Sequence, residues 1–301
     1  MNLPKHSKNS MKALEPLSLR TTFKIGGRAK VWYEPRDRQE LTHFLKNNDG
    51  RLPLFAIGAG SNLLIKEGTI KRAFIHLCGL DFCGIKISGT KAEVGAGVRI
   101  GRLISALVQK DLGGYEFLAG IPGTIGGALV MNAGAKNDHR DAASHRQMSD
   151  ITSSVDVFDK KGRLIRFKRE DIDFFYRGSS LKPYIIVSAC LELSRCDKMS
   201  VGERIKNNIA DRIECQDWHY PSAGSFFKNP SGADPAGRLI DLCGLKGFKV
   251  GGAQISCKHA NFIVNVGGAT SGDVLNLMEI IRERVYNRFK IKLEPEVEIV
   301  S

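Results

Sequence analysis

Four glycines close together in the middle of the chain indicate a backbone that a ligand can approach. They are Gly120, Gly123, Gly126 and Gly127, with apolar residues and Pro122 between them. A flexible linker would be polar and rich in serine, so this segment is typical of buried backbone that turns sharply. Glycine tolerates positive φ and leaves backbone N–H groups accessible to a phosphate. The segment alone leaves two interpretations open, a phosphate-bearing cofactor lying against it and a glycine-rich core turn.

A second glycine-rich turn, at residues 58–62, follows a short apolar stretch. Its sequence, Gly-Ala-Gly-Ser-Asn, is neither a Walker loop, which ends in Gly-Lys-Ser/Thr, nor a Rossmann fingerprint, which needs a third glycine. One turn of this kind is a weak signal. Two of them, at 58–62 and 120–127, predict that together they hold the two ends of one dinucleotide.

A serine on a small-residue turn is the first candidate for proton transfer. Ser225 precedes two aromatic residues and then Lys228 and Asn229. Ala223 and Phe227 occupy the positions where a nucleophile elbow has glycines, which disfavours a hydrolase. Lys228 and Asn229 can bind an anionic group as a point charge and a hydrogen-bond partner. Taken alone, Ser225 is better explained as an ordinary turn serine.

Three charged residues complete the set of candidates. Arg177 follows Tyr176 in an aromatic, turn-like setting, where a surface arginine is the commoner interpretation. Glu294 and Glu296 lie two residues apart in an extended segment and so share one face. Paired carboxylates can do acid–base work, although edge-strand glutamates are commoner. These residues by themselves indicate an α/β protein that binds a phosphate-bearing ligand.

The elements that must position these residues follow from periodicity. Asp37 is predicted to cap a helix with Leu41 and Phe44 on its inner face, and Ser200 with Glu203 to form a capping box for a later helix. Other helical patterns occur at 100–108 and 273–290, and Lys136 to Asp150 is interpreted as an exposed loop. Strands are predicted at 31–35, 54–57, 74–77, 86–88, 92–94, 155–158, 164–167, 185–193, 261–266 and 297–300.

Composition and charge exclude several classes of protein. The chain has 301 residues, 42% hydrophobic and 26% charged, which is typical of a globular protein of two or three domains. It has no apolar run of about 18 residues, so no transmembrane helix is expected. The first residues lack the apolar region of a secretory signal, and 1–14 is predicted to be a disordered basic tail.

The net charge of +13 is compatible with nucleic acid, a membrane surface or an anionic small substrate, but the basic residues are scattered. Seven cysteines without a C-x-x-C predict free thiols in a reducing cytoplasm. Cys257 and His259 offer only two metal donors, so no metal site is predicted.

Six motifs occur in an order that resembles a known family. They are Gly58-Ala-Gly-Ser-Asn-Leu-Leu64, Ala119-Gly-Ile-Pro-Gly-Thr-Ile-Gly-Gly127, Met131-Asn-Ala-Gly134, Tyr176-Arg177, Gly224-Ser-Phe-Phe-Lys-Asn-Pro230 and Leu293-Glu-Pro-Glu-Val297. Over roughly Leu19 to the C-terminus the chain is similar to the UDP-N-acetylenolpyruvoylglucosamine reductase family, the flavin enzymes of peptidoglycan precursor synthesis. Its length resembles the shorter form of the family.

The resemblance implies an α+β fold, with a two-part FAD-binding domain of the vanillyl-alcohol-oxidase type and a C-terminal α/β substrate domain. The expected boundaries are 15–78 and 79–213 for the FAD-binding subdomains and 214–291 for the substrate domain, with 292–301 returning to the second subdomain. It also implies that NADPH reduces non-covalently bound FAD. UDP-N-acetylglucosamine enolpyruvate then receives hydride at C3 and a proton at C2. A cytoplasmic monomer that neither binds nucleic acid nor inserts into membranes is expected.

The resemblance also assigns roles to residues. Ser225 is implied to be the proton donor, and Arg177 and Glu296 to stabilise the enolate, with a raised pKa expected for Glu296. Lys228 and Asn229 are implied to lie near the nucleotide diphosphate. The residues implied to hold FAD are Gly58, Ala59, Gly60, Ser61, Asn62, Leu63, Gly120, Ile121, Pro122, Gly123, Thr124, Gly126 and Gly127.

Two departures and two rivals qualify this interpretation. The segment 136–150 is longer and more charged than the family's short turn. Gln216 is followed by Asp217 to Tyr220, where the family often has Gln-Pro. One rival is a flavin oxidase of the same fold with covalently attached FAD. The other is a basic nucleic-acid-binding protein. The sequence contains no RRM, KH or zinc-finger signature, which disfavours this rival.

Overall fold

The computed structural model describes residues 10–48, 50–136 and 145–301. Contacts divide the chain into two compact units. The first comprises residues up to Ala13, Val31–Ala59 and Arg72–Arg212, and the second comprises Leu14–Lys30, Gly60–Lys71 and Ile213–Ser301. The three-domain division predicted from the sequence stays a prediction.

Helices and strands are mixed along the chain, with runs of consecutive strands between the helices, which is consistent with an α+β fold. The helices among the described residues are α1 (Arg38–Asn48), α2 (Ile100–Val108), α3 (Ile125–Val130), α4 (Lys198–Cys215), α5 (Ala236–Leu242) and α6 (Ser271–Phe289). The strands are β1 (Met11–Pro16), β2 (Arg28–Tyr33), β3 (Leu54–Ile57), β4 (Leu63–Ile65), β5 (Thr69–His76), β6 (Ile85–Ser88), β7 (Lys91–Gly95), β8 (Leu112–Gly113), β9 (Gly134–Lys136), β10 (His145–Gln147), β11 (Thr152–Phe158), β12 (Leu164–Lys168), β13 (Phe174–Phe175), β14 (Gly178–Ser179), β15 (Ile185–Glu192), β16 (Ser194–Arg195), β17 (Ser222–Ser225), β18 (Lys249–Val250), β19 (Ala253–Ile255), β20 (Phe262–Asn265) and β21 (Glu298–Val300). No helix in the described part of the chain combines the length and apolar character that crossing a membrane requires.

The largest sheet of the first unit has five antiparallel strands in the order β12-β11-β15-β7-β6. β15 is the central strand, and its mostly apolar sequence is buried along most of its length. The inner residues of α2, Ile100, Leu103 and Leu107, are fully buried in the same core. The turn between β11 and β12 is closed by Asp159, whose carboxylate accepts hydrogen bonds from the Lys161 and Arg163 amides, both at 2.9 Å.

A four-stranded sheet has the order β1-β2-β5-β3, with β3 parallel to β5. The chain passes from one unit to the other within β1, β2 and β5. Helix α1 begins after Asp37, whose Oδ1 accepts the Glu40 amide at 2.8 Å, so the predicted cap is confirmed. Leu41, Phe44 and Leu45 are buried, as the helical period predicts.

The second unit is built on the antiparallel sheet β17-β20-β19-β18. Helix α6 begins with a capping box in which Thr270 and Asp273 accept each other's backbone amides. The inner face of α6, including Leu277, Ile281 and Val285, is fully buried in this unit's core. β21 pairs in parallel with β4, residue Ile299 opposite Leu64.

Four local predictions are corrected by the structure. The tail predicted over 1–14 is wrong for residues 11–14, because Met11–Pro16 is an edge strand held by backbone pairing that its mixed sequence does not reveal; residues 1–9 lie outside the described residues. Helix α4 begins at Lys198, and the cap is the Asp197 carboxylate, which accepts the Ser200 amide at 2.9 Å.

The remaining two corrections concern segments interpreted as turns or loops. Residues 125–130 form α3, since a helix can accept glycine when its neighbours pack closely. Within the segment predicted as an exposed loop, His145–Gln147 pairs with β9, and 137–144 lies outside the described residues.

Candidate active site

The two glycine-rich segments meet in the first unit. Gly58 follows β3 directly, and its α-carbon lies against the side chain of Thr124. A β-carbon at position 58 would lie 2.3 Å from Thr124 Oγ1, closer than real carbon contacts allow. Position 58 is therefore restricted to glycine by this neighbour. The prediction that the two segments together hold one dinucleotide stays a prediction.

The segment from Gly120 to Gly127 is an open turn followed by α3. Gly120 has φ +76° and Gly123 has φ +152°, conformations that side chains disfavour. Thr124 is the N-cap of α3, and its hydroxyl accepts the Gly127 amide at 3.4 Å. The Gly126 amide donates to Ala96 O at 2.9 Å, which fixes the helix start against the central sheet. Ile121 and Pro122 lie between the two positive-φ glycines.

Arg177 lies at the tip of a two-residue hairpin turn between β13 and β14. Its φ is +57°, which is uncommon for a residue with a side chain. Its Nη1 donates to Gly134 O at 3.2 Å, and its guanidinium lies 5.1 Å from the Tyr176 ring centroid. Asn132 Nδ2 donates to Phe175 O at 3.3 Å, so the hairpin is fastened to the Met131–Gly134 motif from both sides.

Sequence reasoning missed Arg212, which the structure places beside the same glycine segment. A β-carbon at Gly120 would lie 2.6 Å from Arg212 Cδ, so the arginine packs where Gly120 leaves room. Burial, and then the positive charge of Arg177, lower the pKa of Arg212. Burial and Arg177 likewise lower the pKa of His145. The only sequence signal for such a neighbour was the glycine at position 120, and a glycine does not indicate which residue packs against it.

In the second unit the 60–63 turn is tied to the chain's last strand. Gly60 has φ +63°, and a β-carbon there would lie 2.3 Å from Arg20 O. Asn62 Nδ2 donates to Glu296 O at 3.0 Å, and Asn62 O accepts the Glu298 amide at 3.0 Å. Ser61 lies between them, and Leu63 is the first residue of β4. The Asn62 side chain thus fixes the backbone that carries Glu296.

Ser225 and Glu296 lie on neighbouring segments of the second unit. Ser225 is the last residue of β17, opposite Phe262 of β20, and is half-buried. Phe226 O accepts the Glu296 amide at 2.8 Å, so the residue after Ser225 is bonded directly to the glutamate's backbone. Gly224, at φ +78°, lies within β17 at the register shift between Ser222 and Ser225. Glu296 is half-buried, whereas the side chain of Glu294 is 77% exposed. The two glutamates therefore have different environments.

Lys228 and Asn229 follow on the same segment. Lys228 N donates to Glu294 O at 2.9 Å, and Lys228 Nζ lies 3.6 Å from the Glu294 carboxylate. Asn229 Oδ1 accepts the Ala236 amide at 3.1 Å, at the start of α5. The Asn229 side chain therefore binds the first backbone amide of α5, whose N-cap residue is Pro235.

Comparison with known proteins gives one consistent result. The family model of the UDP-N-acetylenolpyruvoylglucosamine reductase C-terminal domain matches residues 216–300, and the FAD binding domain model matches 29–168. A UDP-N-acetylenolpyruvoylglucosamine reductase of Desulforamulus reducens is 38% identical over 98% of this chain and 95% of its own. One of Heliobacterium modesticaldum is 39% identical over 95% of this chain and 90% of its own.

A solved structure agrees with these sequence matches. The crystal structure of UDP-N-acetylenolpyruvylglucosamine reductase from Thermus caldophilus superposes with a TM-score of 0.81 and 34% identity, covering 95% of this chain and 97% of that one. The family and the α+β fold class implied by the six motifs are confirmed. The chain belongs to the UDP-N-acetylenolpyruvoylglucosamine reductase family.

Proposed function

We propose that this chain uses NADPH and FAD to reduce UDP-N-acetylglucosamine enolpyruvate to UDP-N-acetylmuramate. Membership of the family makes it an FAD-dependent oxidoreductase of peptidoglycan precursor synthesis. The observation that carries the residue-level proposal is the bonding of the Ser225 and Glu296 segments through Phe226 O. A proton donor and a carboxyl group are held on one backbone frame by this contact.

The first unit suits a flat, phosphate-bearing cofactor. Gly58, Gly120 and Gly123 remove side chains where two segments of backbone come together, and Thr124 fixes the spacing between them. When bound, FAD supplies two-electron chemistry, accepting hydride from NADPH and delivering hydride from N5 to the enolpyruvyl C3. We assign its binding to the 58–63 and 120–127 segments.

Ser225 is the proposed proton donor. Hydride addition at C3 places an electron pair at C2 and on the adjoining carboxylate, so one proton must reach C2 to complete the product. Ser225 lies at the end of a paired strand, where pairing with β20 and the hydrogen bonds of Phe226 hold its backbone in place. A fixed donor of this kind typically contributes about 10²–10⁴-fold to a rate.

Arg177 and Glu296 are the proposed partners of the developing enolate. Arginine presents a fork of N–H donors to a carboxylate, and an anchored guanidinium needs little reorganisation when charge develops. The bond to Gly134 O and the contact with the Tyr176 ring anchor Arg177. Glu296 would donate a hydrogen bond in its protonated form, which is why a raised pKa is expected for it.

Positive charge on the chain suits two anionic substrates. Lys228 and Asn229 are proposed to bind the nucleotide diphosphate of the substrate. Arg212, packed against Gly120, is proposed to bind an anionic group close to the glycine segment. A cytoplasmic location and a monomeric state stay predictions, which cell fractionation and light scattering would check.

Anaerobic visible absorbance of the purified protein tests the proposal. Addition of NADPH should bleach the flavin bands, and subsequent addition of UDP-N-acetylglucosamine enolpyruvate should restore them. Bleaching without recovery would retain the flavoprotein but reject this substrate. A protein that shows no flavin bands even after addition of FAD would overturn the cofactor assignment as well.

A further inference from the structure

Three residues that are far apart in the sequence bring metal-binding atoms together in the first unit. Glu34 directly follows β2, His76 is the last residue of β5, and Cys78 lies two residues further on. β2 and β5 are neighbours in the sheet. One carboxylate oxygen of Glu34, one ring nitrogen of His76 and the sulfur of Cys78 all lie within 4.8 Å of one another.

A tight backbone turn explains why the Cys78 thiol lies close to the His76 ring. The Cys78 amide donates to His76 O at 3.2 Å, which turns the chain tightly at the end of the strand. Glu34 Oε1 lies 3.0 Å from His76 Nδ1, and the other carboxylate oxygen lies 3.6 Å from Lys12 Nζ. The Trp32 and His76 rings have centroids 5.3 Å apart, so a fully buried indole limits the orientation of the imidazole.

The three side chains differ in their exposure to solvent. Glu34 and His76 are half-buried, and Cys78 is exposed. The site is therefore accessible from the Cys78 side and held by the sheet on the other.

We propose that Glu34, His76 and Cys78 form a binding site for one zinc-like divalent cation. Carboxylate oxygen, imidazole nitrogen and thiolate sulfur are the ligands that zinc takes in proteins, at about 2.0–2.3 Å, and a site with three protein ligands keeps a water in the fourth position. Tetrahedral geometry at these bond lengths separates neighbouring ligand atoms by about 3.3–3.7 Å. The Glu34–His76 separation is close to that range, and the Cys78 sulfur lies within 4.8 Å of both atoms on an exposed side chain.

A bound cation would replace the contact between Glu34 Oε1 and His76 Nδ1, with the imidazole proton carried on Nε2. The metal would bond to Oε1 and Nδ1 simultaneously, and Cys78 would bind as the thiolate after losing its proton to solvent. The competing interpretation is a simple Glu–His hydrogen bond with a thiol that happens to be near. The two differ in whether Cys78 contributes to metal affinity.

The experiment uses the full-length, FAD-loaded protein. After treatment with a chelator and desalting, it is titrated with Zn²⁺ against a chromophoric competitor, and in parallel with Co²⁺ followed at wavelengths beyond flavin absorption. We expect one equivalent of Zn²⁺ per chain and Co²⁺ bands of tetrahedral intensity. Cys78→Ser and His76→Gln should each weaken Zn²⁺ binding more than about tenfold, since even outer-shell changes cost 10–100-fold.

Cys257→Ser is the matched control, because Cys257 is also exposed and lies two residues from a histidine. It should retain wild-type affinity. Equal Zn²⁺ affinity in the wild type and Cys78→Ser would overturn the proposal, as would equal loss in Cys78→Ser and Cys257→Ser. Because Cys78 is exposed, Cys78→Ser should fold normally. The test therefore stays decisive even if His76→Gln does not fold.

Discussion

Gly58 and Thr124 are in direct contact, backbone against hydroxyl, although 66 positions separate them in the sequence. A β-carbon at position 58 would approach Thr124 Oγ1 to 2.3 Å. Thr124 is itself the N-cap of α3. One contact thus joins two glycine-rich segments that each give only a weak signal alone.

Gly58→Ala is predicted to lower both stability and flavin content. Overpacking a tight contact typically costs about 1–3 kcal/mol, and displacement of Thr124 would disturb the start of α3. Urea denaturation and the flavin-to-protein absorbance ratio measure the two effects. Gly101→Ala is the matched control, because nothing lies within 4 Å of its added carbon and it is in helix α2, where alanine is favoured.

A double mutant checks the physical reason. Thr124→Ala removes Oγ1, and the remaining β-carbon at 124 would lie 3.4 Å from the one added at 58. The double variant should therefore be more stable than the sum of the single effects indicates. Strict additivity of Gly58→Ala and Thr124→Ala would contradict a steric cause.

Ser225→Ala is predicted to separate the two half-reactions. NADPH should still bleach the flavin at nearly the wild-type rate, because no proton transfer to C2 occurs in that step. Recovery on UDP-N-acetylglucosamine enolpyruvate should slow by about 10²–10⁴-fold, and stopped-flow absorbance measures both rates. Ser222→Ala, on the same strand, should leave recovery close to wild type. Equal slowing of both half-reactions in Ser225→Ala would count against the proton-donor role.

Local structure was largely predictable from the sequence where neighbours in the chain decide it. Asp37 caps α1, and Asp159 closes the turn between β11 and β12, because each side chain bonds to backbone two to four residues away. Asp197 and Ser200 are both suitable N-cap residues for α4. The sequence pattern predicted Ser200, whereas the structure shows that Asp197 is the cap. The edge strand β1 depends on pairing with a partner strand, which its own short mixed sequence does not reveal.

The candidate site was predictable only where a local sequence motif carries the residue. Family motifs identified Ser225, Arg177 and Glu296, but the roles given to them stay predictions. Arg212 was missed because only folding brings it to Gly120. Glu34, His76 and Cys78 were missed because no sequence spacing shows that β2 and β5 are neighbours.

A buried ion pair is predicted to be important for the first unit's stability. Glu116 is 1% exposed, accepts the Gly114 amide at 2.6 Å, and pairs with Arg204 at 2.6 Å. Arg204→Met would leave a buried carboxylate without its cation, which typically costs about 3–5 kcal/mol. Urea unfolding measures the loss. Arg282→Met, which breaks an exposed pair with Glu279, should change stability by less than about 1 kcal/mol. Similar losses in both variants would contradict the burial argument.

Asp156 is predicted to make stability depend on pH under acid conditions. The Arg166 guanidinium, at 2.6 and 2.9 Å, holds the pKa of Asp156 below its ordinary value. A depressed carboxyl pKa stabilises the folded state above the unfolded pKa of about 3.9, and this stabilisation disappears as pH falls through the folded value. Asp156→Asn should therefore flatten the acid limb of a plot of unfolding free energy against pH. An unchanged limb would exclude Asp156 as a contributor.

The backbone conformation of Arg177 is predicted to lower stability, while its guanidinium is predicted to speed the reaction with substrate. Its φ of +57° favours glycine, and a side chain in this region costs roughly 1–2 kcal/mol. Arg177→Gly should therefore be about 1 kcal/mol more stable than Arg177→Ala, since both lose the bond to Gly134 O and only alanine keeps the β-carbon. Both should slow flavin recovery on the enolpyruvyl substrate by about 10²–10³-fold, the usual effect of removing one donor to a developing anion.

Thermal or urea unfolding and stopped-flow recovery on the same protein samples separate the two effects at Arg177. Arg163→Ala, an arginine on the exposed turn between β11 and β12, is the matched control and should recover at the wild-type rate. Recovery that followed stability, with glycine faster than alanine, would show that the loss arises from folding. Equal slow recovery despite different stability would support a direct action of the guanidinium on the enolate.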